Sequence, residues 1–168
     1  SGTDALILSL IAADIRPGDE VLVPAFTYAA TANAIVAVGA IPKFFDVNVD
    51  DALTCIGSVE KALTERSKAL IAVELYGNAC DLKRLRALCD REELILISDS
   101  AQAFGTRINN TLKIIDCVDF QTFSFFPTKP LGCYGDGGGI LVKSVEMAAK
   151  LNSIRSQGRS VADKYHYE

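Results

Sequence analysis

Apolar and polar positions along this chain switch repeatedly between two rhythms. In "TDALILSLIAADI" apolar residues recur at helical spacing, and "SGT" in front supplies an N-cap signal. "EVLVP" then reads as a short buried strand, "YAATANAIVAVG" as a helix ended by Gly39, and "IPKFFDV" as a second strand. "SVEKALTER" predicts a helix opened by Ser58, with Glu60 early in its first turn. "KALIAVEL" predicts a strand, "DLKRLRALCDRE" an amphipathic helix, and "LILIS" a strand that leads into Asp99. "DFQTFSFF" and "GGILVK" add two strands, and "SVEMAAKLNSIRSQG" a closing helix. This alternation predicts an α/β fold of three layers, with a mostly parallel sheet covered on both faces. Neither a repeat nor a linker interrupts it, so residues 1–168 read as one domain or most of one. Ligands of such sheets sit beyond the carboxyl ends of the strands. Attention therefore falls on residues 24–28, 74–78, 99–102 and 124–129.

Composition narrows the function classes. Seventeen Lys and Arg against 21 Asp and Glu, with no basic block, leave out the electrostatic footprint of nucleic-acid binding. Apolar runs such as "ALILSLIAA" are shorter than a membrane span requires. Five cysteines without CxxC spacing predict reduced thiols in a cytoplasmic protein, and the single histidine, His166, argues against a Cys/His zinc site. No metal is expected.

The chemistry centres on "FSFFPTKPLGCYGDGGG", in which Lys129 stands between an apolar run and a glycine-rich loop. A P-loop needs its lysine after the glycines, whereas Lys129 precedes them, and "GCYGDGGGI" does not complete GxGxxG. A lysine in such a turn can instead attack a carbonyl to form a Schiff base. Pyridoxal phosphate chemistry asks for that lysine, a carboxylate facing the pyridine nitrogen, a phosphate cradle and a flat residue against the ring. Asp99, at a strand end, has the carboxylate, though it also suits an N-cap for "SAQA". "SGTDA" at a helix start offers N–H groups and hydroxyls to a phosphate, or simple capping. Ser124 can complete the cradle or bond within the sheet. Tyr28 has the ring for stacking, with core packing as the other reading and Phe26 as its competitor.

Taken together, "SGTDAL", "GDEVLVPAFTYAATANAI", "VELYGNACDL", "SDSAQAFG" and "FSFFPTKPLGCYGDGGG" resemble, in order and spacing, the DegT/DnrJ-type nucleotide-sugar aminotransferases. The resemblance implies the large domain of a fold type I, pyridoxal phosphate-dependent transaminase. It implies Lys129 as the Schiff-base lysine and proton shuttle, Asp99 as partner of the pyridine nitrogen, and Gln102 as donor to the ring hydroxyl. Thr3, the backbone of Gly2 and Asp4, and Ser124 match phosphate-binding positions, and Tyr28 the residue stacked on the ring. Lys129 stands where the family's sugar dehydratases have histidine, which favours transamination. A non-catalytic relative that only binds cofactor or sugar is the other alternative, and the joint presence of Lys129 and Asp99 speaks against it. Ser98, Ser100 and Glu74 depart from the usual pattern.

The same resemblance implies a ping-pong exchange between glutamate and a nucleotide-linked keto sugar. Pro130, Cys133 and Tyr134 point to the branch acting on UDP-linked 3-keto sugars, notably UDP-2-acetamido-3-keto-glucuronic acid, for surface polysaccharide synthesis. It also implies a homodimer. A chain opening on "SGTDAL" and stopping at "KYHYE" reads as cut from a longer protein at both ends, without the C-terminal small domain.

Overall fold

The computed structural model describes residues 1–159; His166 lies outside them. In chain order the elements are α1 (Gly2–Ala12), β1 (Glu20–Pro24), α2 (Ala29–Ala37), β2 (Ile41–Phe45), α3 (Ile56–Ala62), β3 (Ser67–Val73), α4 (Leu82–Arg91), β4 (Ile95–Asp99), β5 (Arg107–Ile108), β6 (Leu112–Lys113), β7 (Phe120–Ser124), β8 (Gly138–Leu141) and α5 (Val145–Arg155). Six strands form one sheet in the order β2-β1-β3-β4-β7-β8. Its pairs are parallel except the last, where β8 returns antiparallel to β7.

The central strands show why the sheet needs cover on both sides. Val21, Leu22 and Val23 of β1, and Ala69 to Ala72 of β3, are completely buried. Successive strand residues point to opposite faces, so an unbroken buried run demands packing above and below. Burying each such Leu or Ile contributes about 1.5–3 kcal/mol. On α4 the apolar stripe Leu82, Leu85, Leu88 and Cys89 is buried, and the helix lies against β4. Helix α1 packs against α2, α5, β7 and β8.

Two local expectations change. Helix α3 begins at Ile56, not Ser58, because the Cys55 carbonyl already accepts from the N–H groups of Ser58 and Val59 (3.0 Å each). It stops at Ala62, where Leu63 turns to extended backbone. The hairpin β5–β6 was not foreseen, since two-residue strands leave no periodicity. In its three-residue connection Asn109 and Asn110 both adopt positive φ (49° and 62°), a conformation asparagine tolerates better than most residues.

Register lines up the strand ends that build the site. Val73 of β3 pairs with Asp99 of β4, which pairs with Thr122 of β7. One residue further along, Glu74 N–H donates to the Asp99 carbonyl (3.1 Å) and Ser100 N–H to the Thr122 carbonyl (2.9 Å).

Candidate active site

At these strand ends opens a cavity of about 340 Å³. Gly2, Thr3, Tyr28, Asp99, Gln102, Ser124 and Lys129 all border it, although up to 127 positions separate them in sequence (129 − 2). Asp4 is the exception. Its N–H donates to Ser1 Oγ (3.1 Å), and its carboxylate accepts from the Ser1 hydroxyl (2.8 Å). The helix start thus closes its own capping box, which corrects the expectation that the Asp4 N–H faces a phosphate.

What remains at that end is an anion cradle. The N–H groups of Gly2 and Thr3 have no acceptor among the described residues, as the first turn of a helix leaves them. A Cβ at Gly2 would lie 2.7 Å from Ser124 Cβ, so only glycine lets α1 approach the end of β7 this closely. From the other side β8 closes in: a Cβ at Gly138 would stand 2.2 Å from the Ser1 carbonyl oxygen. The Ser124 hydroxyl accepts from Phe126 N–H (3.4 Å), leaving its own hydrogen for a ligand.

Across the cavity Asp99 is buried, with 7 % of its surface exposed. Thr31 Oγ1 donates to its Oδ2 (2.9 Å) and Ala101 N–H to its Oδ1 (3.1 Å). The second bond caps the turn that follows, as the capping reading of Asp99 expects, while the carboxylate still borders the cavity. Thr27 Oγ1 lies 3.0 Å from Thr31 Oγ1, and with Thr31 donating to the carboxylate, Thr27 donates to Thr31. Burial nevertheless raises the Asp99 pKa, which these donors and the Lys129 charge only partly offset. A cation entering the cavity is what such a carboxylate lacks.

Gln102 Oε1 accepts from Tyr76 N–H (2.7 Å), which fixes the amide and leaves its NH2 group as the donor available to the cavity. Tyr76 adopts φ 55° to present that N–H. Tyr28, at the start of α2, is 77 % exposed, so core packing is not its role. Phe26, its competitor, does not border the cavity.

Lys129 is carried by a tight loop. Its N–H donates to the Phe126 carbonyl (2.8 Å), Cys133 N–H to the Phe125 carbonyl (2.7 Å), and Phe125 N–H to the Gly137 carbonyl (2.8 Å). Phe104 presents its edge to Phe123 and Phe125 (ring centroids 5.6 and 6.4 Å), bracing the exit of β7 behind the loop.

Thr27, Thr31, Thr128 and Asp136 also border the cavity; sequence reasoning gave none of them a role, although Thr27 and Thr128 lie in stretches it singled out. For the first two a signal existed: hydroxyls four apart at the start of a helix share a face.

With this geometry in hand, the known proteins it matches are informative. The model of the DegT/DnrJ/EryC1/StrS aminotransferase family matches residues 1–168. The chain belongs to this family. It is 44 % identical over 168 residues to UDP-N-acetyl-3-dehydro-α-D-glucosamine 3-aminotransferase of Acidithiobacillus ferrooxidans, covering 100 % of the chain and 45 % of that relative. It is 38 % identical over 176 residues to UDP-2-acetamido-2-deoxy-3-oxo-D-glucuronate aminotransferase of Pseudomonas aeruginosa, covering 99 % of the chain and 46 % of that protein. Other relatives are named for GDP- or dTDP-linked sugars. The chain spans less than half the length of these curated relatives. Among solved structures it superposes on Bacillus subtilis NtdA with bound cofactor PMP at a TM-score of 0.93 and 33 % identity, covering 100 % of the chain and 38 % of NtdA. The DegT/DnrJ/EryC1/StrS family chain thus carries the mostly parallel sheet of the fold type I aminotransferases.

Proposed function

We propose that the protein is a pyridoxal phosphate-dependent aminotransferase that moves an amino group onto the keto carbon of a nucleotide-linked sugar. The observation that carries this reading is the single cavity bordered by Lys129, Asp99 and the free N–H groups of α1. The donor set fits the cofactor: an anion cradle at one end, and at the other a buried carboxylate short of a cation. When bound, pyridoxal phosphate supplies an electrophilic carbon and a conjugated ring that accepts an electron pair.

The chain's own residues then do the following. Gly2, Thr3 and Ser124 hold the phosphate. Asp99, its anion stabilised by Thr31 and Ala101, would hold the proton on the pyridine nitrogen, because an opposite charge nearby favours the protonated form. The Gln102 amide donates to the ring hydroxyl, and Tyr28 covers the ring face. Lys129 Nζ takes a proton from Cα of the amino donor and returns one at the carbon being aminated.

In the same reading glutamate is the donor, and the acceptor is a UDP-linked 3-keto sugar destined for surface polysaccharide; the Acidithiobacillus and Pseudomonas relatives, named for UDP-linked keto sugars, support the acceptor. The five unpaired thiols support a cytoplasmic setting. The chain is the cofactor-binding large domain of a homodimeric protein, in keeping with the share of its relatives that it spans.

The test is the visible spectrum of the purified protein with pyridoxal phosphate, before and after glutamate. A band that bleaches with glutamate and is absent in Lys129→Ala supports the reading, and UDP-, dTDP- and GDP-linked keto sugars offered in turn then identify the acceptor. Without any band the cofactor assignment fails.

A further inference from the structure

Glu74 has no exposed surface, and the function proposed above gives it no task. It borders the cavity one position beyond the β3 residue paired with Asp99, and its own N–H is bonded to the Asp99 carbonyl. Its Oε2 accepts from Cys80 N–H (2.6 Å) and its Oε1 from Ser98 Oγ (3.2 Å). Ser98 Oγ lies 2.8 Å from Ser100 Oγ, which accepts from Gln121 Nε2 (3.1 Å).

This chain has a direction. With Glu74 ionised, Gln121 donates to Ser100, Ser100 to Ser98 and Ser98 to the carboxylate, so every hydrogen has an acceptor. With the proton on Oε1 both hydroxyls must reverse, and the Ser100 hydrogen loses its acceptor among the described residues. The network therefore favours the charged form. Burial opposes it and pushes the Glu74 carboxyl up to about 7. The titratable groups facing it are Asp99 on β4 and the Cys80 thiol, which burial pushes up to about 12 and so keeps neutral. Lys129 and Asp136 border the same cavity. All three departures from the family pattern noted in the sequence meet here: Ser98 contacts both Glu74 and Ser100.

We propose that Glu74 is a positioning residue that sets how much negative charge backs the pyridine nitrogen through Asp99. The site presents one carboxylate when Glu74 holds its proton, and two when the Ser98–Ser100–Gln121 chain stabilises its anion. This rests on the cofactor reading above. The Ser98 contact puts the Glu74 carboxylate on the sheet face behind Asp99, and a negative charge there strengthens the hold on a protonated ring nitrogen, so cofactor affinity rises as Glu74 ionises.

The experiment is a titration of apo protein with pyridoxal 5′-phosphate across pH, read from the visible band, for wild type, Glu74→Gln and Ser98→Ala. The cofactor's own ionisations are common to all three and cancel in the comparison. Relative to Glu74→Gln, wild-type affinity should gain about tenfold between pH about 6 and about 8, the effect of a coupling worth one pKa unit. Ser98→Ala removes a donor to the carboxylate, so its gain should occur at higher pH. Identical pH curves for wild type and Glu74→Gln, with the band intact, overturn the role of Glu74 and leave the cofactor reading standing. A wild type with no band overturns both. Should Glu74→Gln not fold, an unmoved step in Ser98→Ala overturns the proposal by itself.

Discussion

Replacing Gly138 by alanine puts the contact between β8 and the first turn of α1 to the test. The added Cβ would stand 2.2 Å from the Ser1 carbonyl oxygen and 2.9 Å from Gly2 nitrogen, both backbone atoms that cannot rotate away. Either β8 peels from β7, where Gly138 pairs with Ser124, or the start of α1 moves out. The second course also breaks the capping box between Ser1 and Asp4. Overpacking costs about 1–3 kcal/mol and a lost cap about 1 kcal/mol, so about 3 kcal/mol is expected. For a chain of this size that lowers the melting temperature by roughly 6–12 °C. Because the displaced atoms flank the Gly2 and Thr3 N–H groups, affinity for pyridoxal phosphate should fall more than tenfold as well. Gly57→Ala is the control: a Cβ there meets nothing within 4 Å inside α3, so stability should rise by about 0.5–1 kcal/mol. Thermal unfolding and cofactor titration of both variants decide the matter. A Gly138→Ala protein with wild-type melting temperature and affinity would refute the claim that this contact shapes the cradle.

Three other expectations follow from single bonds. Thr31→Val keeps the shape of the side chain but removes the hydroxyl donor to Asp99, and should weaken cofactor affinity by about ten- to a hundredfold, as loss of a charge-assisted hydrogen bond of about 1.5–3 kcal/mol implies; an unchanged dissociation constant would contradict it. Gln102→Glu retains an oxygen for Tyr76 N–H but loses the amide donor, so melting temperature should hold within a few degrees while cofactor binding weakens, and a matched loss of both would argue for a purely structural role. Glu74, raised on folding from the ordinary carboxyl value of 4.5 to about 7, binds its proton more tightly in the folded state. Its contribution to stability is complete below about 4.5 and lost as pH rises to about 7, by roughly 3 kcal/mol. Chemical denaturation of apo Glu74→Gln should accordingly show a flatter pH dependence over that interval than wild type.

Lys129, Asp99 and Ser124 were legible because each stands at or just after the end of an apolar run, where an α/β sheet puts its ligands. Gly2 and Thr3 were legible as the start of a periodic helix. Asp4 was misjudged for a local reason: the serine three residues before it competes for its N–H, and the cap wins. Thr31 reaches Asp99 across 68 positions, and Gln102 reaches Tyr76 across 26. Such pairings depend on where β1, β3 and β4 lie side by side, which no local pattern specifies. Glu74 stood out in the sequence as an odd residue at a strand end, but only the folded chain shows that it faces inward onto Ser98 rather than outward to a substrate.

The meeting of Ser1 and Gly2 with Gly138 also bears on the order in which the molecule is made. The cofactor cradle joins α1 to a strand end more than 120 residues later, at Ser124, so it cannot exist on a ribosome until β7 has emerged. Parallel pairing of distant segments is slow, and until it finishes the first helix lacks the strand it packs against. A cofactor that grips both sides at once binds only the finished fold, and by mass action holds it closed. In cells short of vitamin B6, this protein should therefore grow scarce through degradation of half-assembled chains, before the specific activity of the surviving molecules changes.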